Sequence, residues 1–146
     1  MKFADFYPGQ TIELDPYTIT EEEIVEFATQ WDPQWFHTDS DGARQSKFGG
    51  LIASGWHTGC IAMRMVVNGV LNGSESFASP GFESLRWPAP VRPGDTLHLR
   101  AEILDVRRSK SKPDIGVVLW RWRMHNQDDV EVLSLEATNF FDLATS

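Results

Sequence analysis

Cysteine is nearly missing from this sequence: Cys60 is the only one in 146 residues. That excludes an internal disulfide and a cysteine-rich metal site. It also fits a reducing compartment, so a cytoplasmic location is expected. No run of about 18 apolar residues occurs, which argues against a membrane span and a membrane partner. The first ten residues have no apolar core behind a basic start, so no signal peptide is read there. Cations are scarce: 13 Lys and Arg stand against 21 Asp and Glu, for a formal net charge of -8. Such a chain lacks the overall field that draws proteins to nucleic acid or anionic lipid, and no nucleic-acid partner is expected. Repeats, low-complexity tracts and linkers are missing too. So are a Walker-type phosphate loop, a dinucleotide-binding glycine pattern and a nucleophile elbow. His57, His98 and His125 show no metal-ligand spacing, and neither metal nor cofactor is expected.

What remains is ordinary globular material. Hydrophobic residues make up 41% and charged residues 23%, so disorder is the wrong default. The length suits one domain over residues 1–146, with a real core. Thr11 to Ile19 reads as a strand interrupted by Pro16. Thr20 and Glu23 form a capping box, and Glu21 and Glu22 suit the positive end of a helix dipole. Ile24, Phe27, Ala28 and Trp31 then recur at helical spacing as one apolar stripe. Pro33 stops that helix. Asp32 to Gly50 reads as loop, with a helical turn around Ser40 to Gln45.

Gly55 to Leu71 is apolar on nearly every face and contains no Asp or Glu. A helix of that kind is buried on all sides. Cys60 falls within it and reads as a core residue. From Phe77 the period changes to two. Phe82 to Trp87, Thr96 to Val106, Gly116 to Met124 and Val130 to Phe141 read as strands, and His98 lies on a polar strand face. A long buried helix followed by antiparallel strands predicts an α+β fold, with a sheet curled around the helix. So small a chain leaves one helix face uncovered, so a homodimer is expected.

The loop Trp31 to Asp39 mixes polar groups with aromatics directly after a helix. Asp32 and His37 within it suit a pair that holds one water and moves its protons, because imidazole titrates near neutrality. They equally suit a helix terminator and a packed surface aromatic. The stretch Gly49 to Gly55 enters the buried helix, where leading N–H groups lack helical partners. The Gly55 N–H there suits a carbonyl oxygen that gains charge during a reaction, and it also suits a plain turn into a core helix. Arg107-Arg108-Ser109-Lys110-Ser111-Lys112 is the basic run of the chain. It suits phosphates, and equally a solvated hairpin loop.

Three segments carry a family resemblance. Asp32-Pro33-Gln34-Trp35-Phe36-His37 sets an Asp and a His five positions apart. Phe48-Gly49-Gly50-Leu51-Ile52-Ala53-Ser54-Gly55-Trp56-His57-Thr58 leads into the central helix. Pro88-Ala89-Pro90-Val91-Arg92-Pro93-Gly94-Asp95 precedes a strand. Together they resemble the MaoC-like dehydratases, which include the (R)-specific enoyl-CoA hydratases and have the hotdog fold. The resemblance covers the chain from about Tyr17 onward. It implies reversible hydration of a trans-2-enoyl thioester to the (3R)-3-hydroxyacyl thioester. Asp32 and His37 would activate the water, and the Gly55 N–H would serve as oxyanion hole. Trp35, Ser54, Trp56 and Met63 would contact substrate, Met63 standing where some relatives have a serine. The bulk of Trp35, Trp56 and Met63 then implies a short acyl pocket. Arg107 and Arg108 would receive the phosphates of an acyl-CoA or an acidic acyl carrier protein. A homodimer or higher oligomer is implied. The rival readings are a hotdog acyl-CoA thioesterase and a non-catalytic acyl-CoA-binding protein.

Overall fold

The computed structural model of the protein describes residues 1–144. Its elements run β1 (Thr11–Glu13), β2 (Tyr17–Thr18), α1 (Glu21–Trp31), α2 (Trp35–Thr38), α3 (Ser40–Arg44), α4 (Gly55–Val66), β3 (Ser76–Arg86), β4 (Thr96–Arg108), β5 (Ile115–His125) and β6 (Glu131–Asp142). The sheet order is β1-β4-β5-β6-β3, with β2 also on β4, and every pairing is antiparallel.

The period of two fixes the inner face. Leu97, Leu99, Ala101 and Ile103 on β4 are buried, while His98 and Arg100 between them are exposed. Trp120, Trp122 and Met124 on β5 and Leu133, Leu135 and Ala137 on β6 extend the same surface. Ile61, Ala62, Met65 and Val66 of α4 join these side chains in one core. Each large side chain buried there contributes roughly 1.5–3 kcal/mol. The sheet thus curls around α4, as the α+β reading expects.

Several sequence expectations need correction. Thr11 to Ile19 is two short strands, because Pro16 has no N–H to donate to β4 and the chain breaks there. Asp32 to Gly50 holds α2 as well as the expected turn, α3. The capping box at Thr20 forms, with Glu23 N–H donating to Thr20 Oγ1 at 3.2 Å and Thr20 N–H to Glu23 Oε1 at 2.7 Å. Of the α1 stripe, Ile24 and Ala28 are buried but Trp31 is exposed, since it lies in the last turn, beyond the core. The helix from Gly55 leaves α geometry at Val66 and finishes in one wider π-type turn, Val67–Leu71. It is not covered all round: Trp56, Cys60 and Arg64 are exposed. Cys60 is therefore a surface thiol, because it falls on the face of α4 that points away from the sheet. The first long strand begins at Ser76, six residues earlier than read, because its bulges hide the alternation. Among the described residues no helix is long and apolar enough to cross a membrane.

Candidate active site

Asp32 stands where α1 ends. Its N–H still donates to Ala28 O at 2.8 Å, but its own backbone leaves the helix at φ -153° and Pro33 follows. A carboxylate at a helix C-terminus faces the negative end of the dipole. Two donors offset this. Ser54 Oγ donates to Oδ2 at 2.7 Å, and Gln34 Nε2 donates to Oδ1 at 2.8 Å. The Ser54 bond, then the Gln34 bond, hold the Asp32 carboxyl below the usual carboxylate range; burial opposes them and the nearby His37 adds to them.

His37 belongs to α2 and is 5% exposed. Its Nδ1 lies 2.7 Å from Ile52 O. A carbonyl only accepts, so Nδ1 carries a proton and Nε2 is the working atom. Nε2 sits 3.3 Å from Asp32 Oδ2. The segment before α4 supplies this alignment. Ile52 N–H donates to Phe36 O at 3.2 Å, and Ala53 N–H to Val91 O at 2.8 Å, so the strand-like stretch is tied to α2 on one side and to the approach to β4 on the other.

Ser54 is fully buried and immediately precedes α4. Its hydroxyl is committed to Asp32, so it does not cap the helix. The N-terminal end of α4 is left positive and without a side-chain cap at Gly55. An ideal Cβ at Gly55 would lie 2.5 Å from the Trp87 indole, so glycine is what lets the ring lie on the helix tip. A cleft of about 230 Å³ opens at this point, lined by His37, Gly55, Thr58, Trp87, Val91 and Val132 among others.

The structure therefore brings Asp32, His37, Ser54 and Gly55 together. Trp35 is half exposed and packs on Phe36 and Phe48, away from the cleft. Trp56 is exposed and meets Trp87 edge-on, with ring centroids 5.7 Å apart. Met63 lines a separate hollow of about 330 Å³ with Val67 and Leu71. These three do not line the cleft, because Trp56 falls on the outer side of α4, Met63 lies about two turns farther along that helix, against the core, and Trp35 turns outward from α2. Arg107 and Arg108 sit in the β4–β5 hairpin, at the end of β4 far from Val91, on the order of 40 Å along the strand. Arg107 pairs with Asp105 at 3.8 Å, and Arg108 donates to Pro113 O at 3.0 Å. Within one chain the fold keeps them away from the cleft.

The profile of the MaoC-like domain matches residues 4–118. The chain belongs to the MaoC-like family. It is similar to the crystal structure of a MaoC-like dehydratase from Rhodospirillum rubrum, with a TM-score of 0.87 and 37% identity over 95% of this chain and 94% of that one. It is 30% identical to Protein MaoC of Klebsiella aerogenes over 126 residues, 83% of this chain but 37% of that protein's length. An (R)-hydratase from Pseudomonas aeruginosa in its unliganded form superposes with a TM-score of 0.76 over 96% of this chain and 84% of that one. At 24% identity that likeness shows the fold alone, and the fold is the hotdog.

Sequence reasoning overlooked some parts of this MaoC-like site. Gln34 had no role in the sequence reading, yet its amide holds Asp32. Ser54 read as a substrate contact, yet its hydroxyl is spent on Asp32. Trp87 was missed; an aromatic at the end of a strand, just before a proline turn, was its faint signal.

Proposed function

We propose that the chain adds water across the 2,3 double bond of an enoyl thioester, and removes it in reverse, giving or consuming a (3R)-3-hydroxyacyl thioester. The observation that carries this reading is the approach of His37 Nε2 and Asp32 Oδ2 to 3.3 Å beside the open tip of α4. Two acceptor atoms so placed can grip one water. Imidazole is the more basic of the two side-chain types, and the donors on Asp32 widen that gap. Asp32 therefore stays ionised and orients the water. His37 Nε2 takes one of its protons as oxygen bonds to C3. Electron density moves through C2 onto the thioester oxygen, where the Gly55 N–H receives it. The proton then passes from Nε2 to C2, so one O–H bond is exchanged for one C–H bond and nothing else is consumed. Charge grows on that oxygen only during the reaction, so a fixed donor favours the transition state; such a donor contributes about 10²–10³ in rate.

The cleft is smaller than the roughly 300 Å³ at which drug-sized sites begin, which supports a short acyl group. Coenzyme A or an acyl carrier protein is the carrier. A second molecule of this chain is the partner: among the described residues β3 has a neighbouring strand on one side only, Phe77 and Phe82 on it are exposed, and Trp56 and Trp87 add exposed aromatic surface. Crotonyl-CoA tests the reading. Loss of enoyl absorbance without thiol release is expected. Free thiol instead makes the protein a thioesterase, although α4 carries no carboxylate; neither signal makes it a binder. Asp32→Asn and His37→Ala are each expected to lose at least about 10²-fold in kcat while still melting cooperatively as folded proteins.

A further inference from the structure

The polar face of the sheet, on the other side from the core, carries a hollow of about 920 Å³ that the proposed reaction does not use. Its floor breaks two local rules. On β4 and β5, His98 stands directly opposite His125, and Arg100 directly opposite Arg123. Like charges in register cost stability in an isolated sheet. The row of Arg100 and Arg123 continues through Ser134 on β6 to Arg86 on β3. Strands lie about 4.8 Å apart, so this row sets Ser134 between two arginine positions whose backbones are about 10 Å apart.

The second broken rule concerns the backbone. Among the described residues two non-glycines have positive φ, Ser84 at 56° and Asp129 at 60°, and both line this hollow. Asp129 lies in the β5–β6 turn, where aspartate tolerates such geometry. Ser84 lies within β3, at the register shift that leads to Arg86, and has no turn to explain it. Strain of this kind at a bulge re-aims a side chain, and it gathers where ligands bind.

The carboxylates in the hollow do not use up its donors. Arg121 meets Glu136 at 2.9 Å and Glu102 at 3.7 Å through its two terminal amino groups. Arg100 and Arg123 meet Glu13 at 2.6 Å and Glu131 at 3.8 Å through Nε. Among the described residues no partner meets their terminal amino groups or the Arg86 guanidinium; Asp129 is the remaining acid of the lining. Forked guanidinium donors match phosphate oxygens.

We infer that this outer face is a binding site for a phosphate oxyanion, held by Arg86, Arg100 and Arg123 with the Ser134 hydroxyl between them and His98 and His125 beside them. It stands apart from the cleft and does not depend on the chemistry proposed there.

Calorimetric titration of the full chain with inorganic pyrophosphate tests it. Saturable binding to one site per chain is expected. Arg86→Gln and Arg123→Gln should each weaken it about tenfold or more, as the loss of a charge-assisted contact does. Arg107→Gln, in the distant hairpin, should leave it unchanged. Ser84→Gly should raise the melting temperature of the free protein and weaken pyrophosphate binding. Absence of saturable binding to the unaltered chain, or equal losses in Arg107→Gln and Arg123→Gln, would overturn the site whatever the crotonyl-CoA assay reports. Melting curves confirm that each variant is folded.

Discussion

Asp32 shows how little of a site one side chain makes alone. Its carboxylate sits at the unfavourable end of α1, and Ser54 and Gln34 keep it ionised there. The larger share of that depression comes from Ser54. Ser54→Ala should therefore let the Asp32 pKa rise toward its ordinary value. The acid limb of the kcat profile should move to higher pH, and a pH-rate series on crotonyl-CoA reads the shift directly. Stability follows the same sign. A carboxyl depressed in the fold stabilises it fully above the ordinary carboxylate value, and that contribution is lost as pH falls through the depressed one. Ser54→Ala should thus narrow the gap between melting temperatures at neutral and strongly acid pH. The Asp32–His37 spacing was legible in the sequence because both residues stand in one short segment, from the end of α1 into α2. Their donors were not, since Ser54 arrives from 22 positions away and its bond exists only once α4 has docked.

At the scale of the element, α4 unites core and chemistry, and its two ends behave differently. At the N-terminal end, Gly55 lets the Trp87 ring lie against the backbone. Gly55→Ala should either expel the ring or cost about 1–3 kcal/mol by overpacking. Adding Trp87→Ala should recover most of that loss, so thermal melts of the two single variants and the double should show strong coupling. Two residues on, His57 is buried and stacks on Phe27 of α1, with centroids 4.5 Å apart and planes 7° from parallel. Among the described residues its Nδ1 has no hydrogen-bond partner. Burial lowers the His57 pKa, against the pull of Glu23 on α1. The unfolded chain therefore takes up a proton first as pH falls below the ordinary histidine value, and stability declines down to the depressed value. His57→Phe should keep the stack, raise the melting temperature at pH 5 more than at pH 8, and so flatten that decline. The apolar run of α4 was plain in the sequence. Its exposed stripe through Trp56 and Cys60 was not, because an all-round apolar pattern does not say which face the sheet will cover.

At the scale of the whole molecule, the alternation on β4, β5 and β6 announced the sheet and its inner face, whereas β3 was half hidden. Its register shifts near Ala78, Gly81 and Glu83 break the period of two, and most of its residues are exposed in the single chain. An eleven-residue edge with free backbone groups and two exposed phenylalanines invites pairing. Antiparallel pairing of β3 with its own copy about a twofold axis closes the assembly, whereas a head-to-tail contact would propagate. The aromatic side chains along this strip each carry about 150–250 Å² and stand roughly half exposed. Together they supply about 400 Å², roughly half of the area of about 800 Å² per partner that a stable interface needs, and the other exposed residues along β3 carry the remainder. Light scattering should then give twice the chain mass. Phe77→Glu places a carboxylate at the seam and, by the twofold, a second one near it, so that variant should run as a monomer at the same concentration. A monomeric unaltered chain, or a Phe77→Glu variant that stays dimeric, would move the interface away from β3 and leave the apolar strip on α4 and β3 to be explained by some other cover.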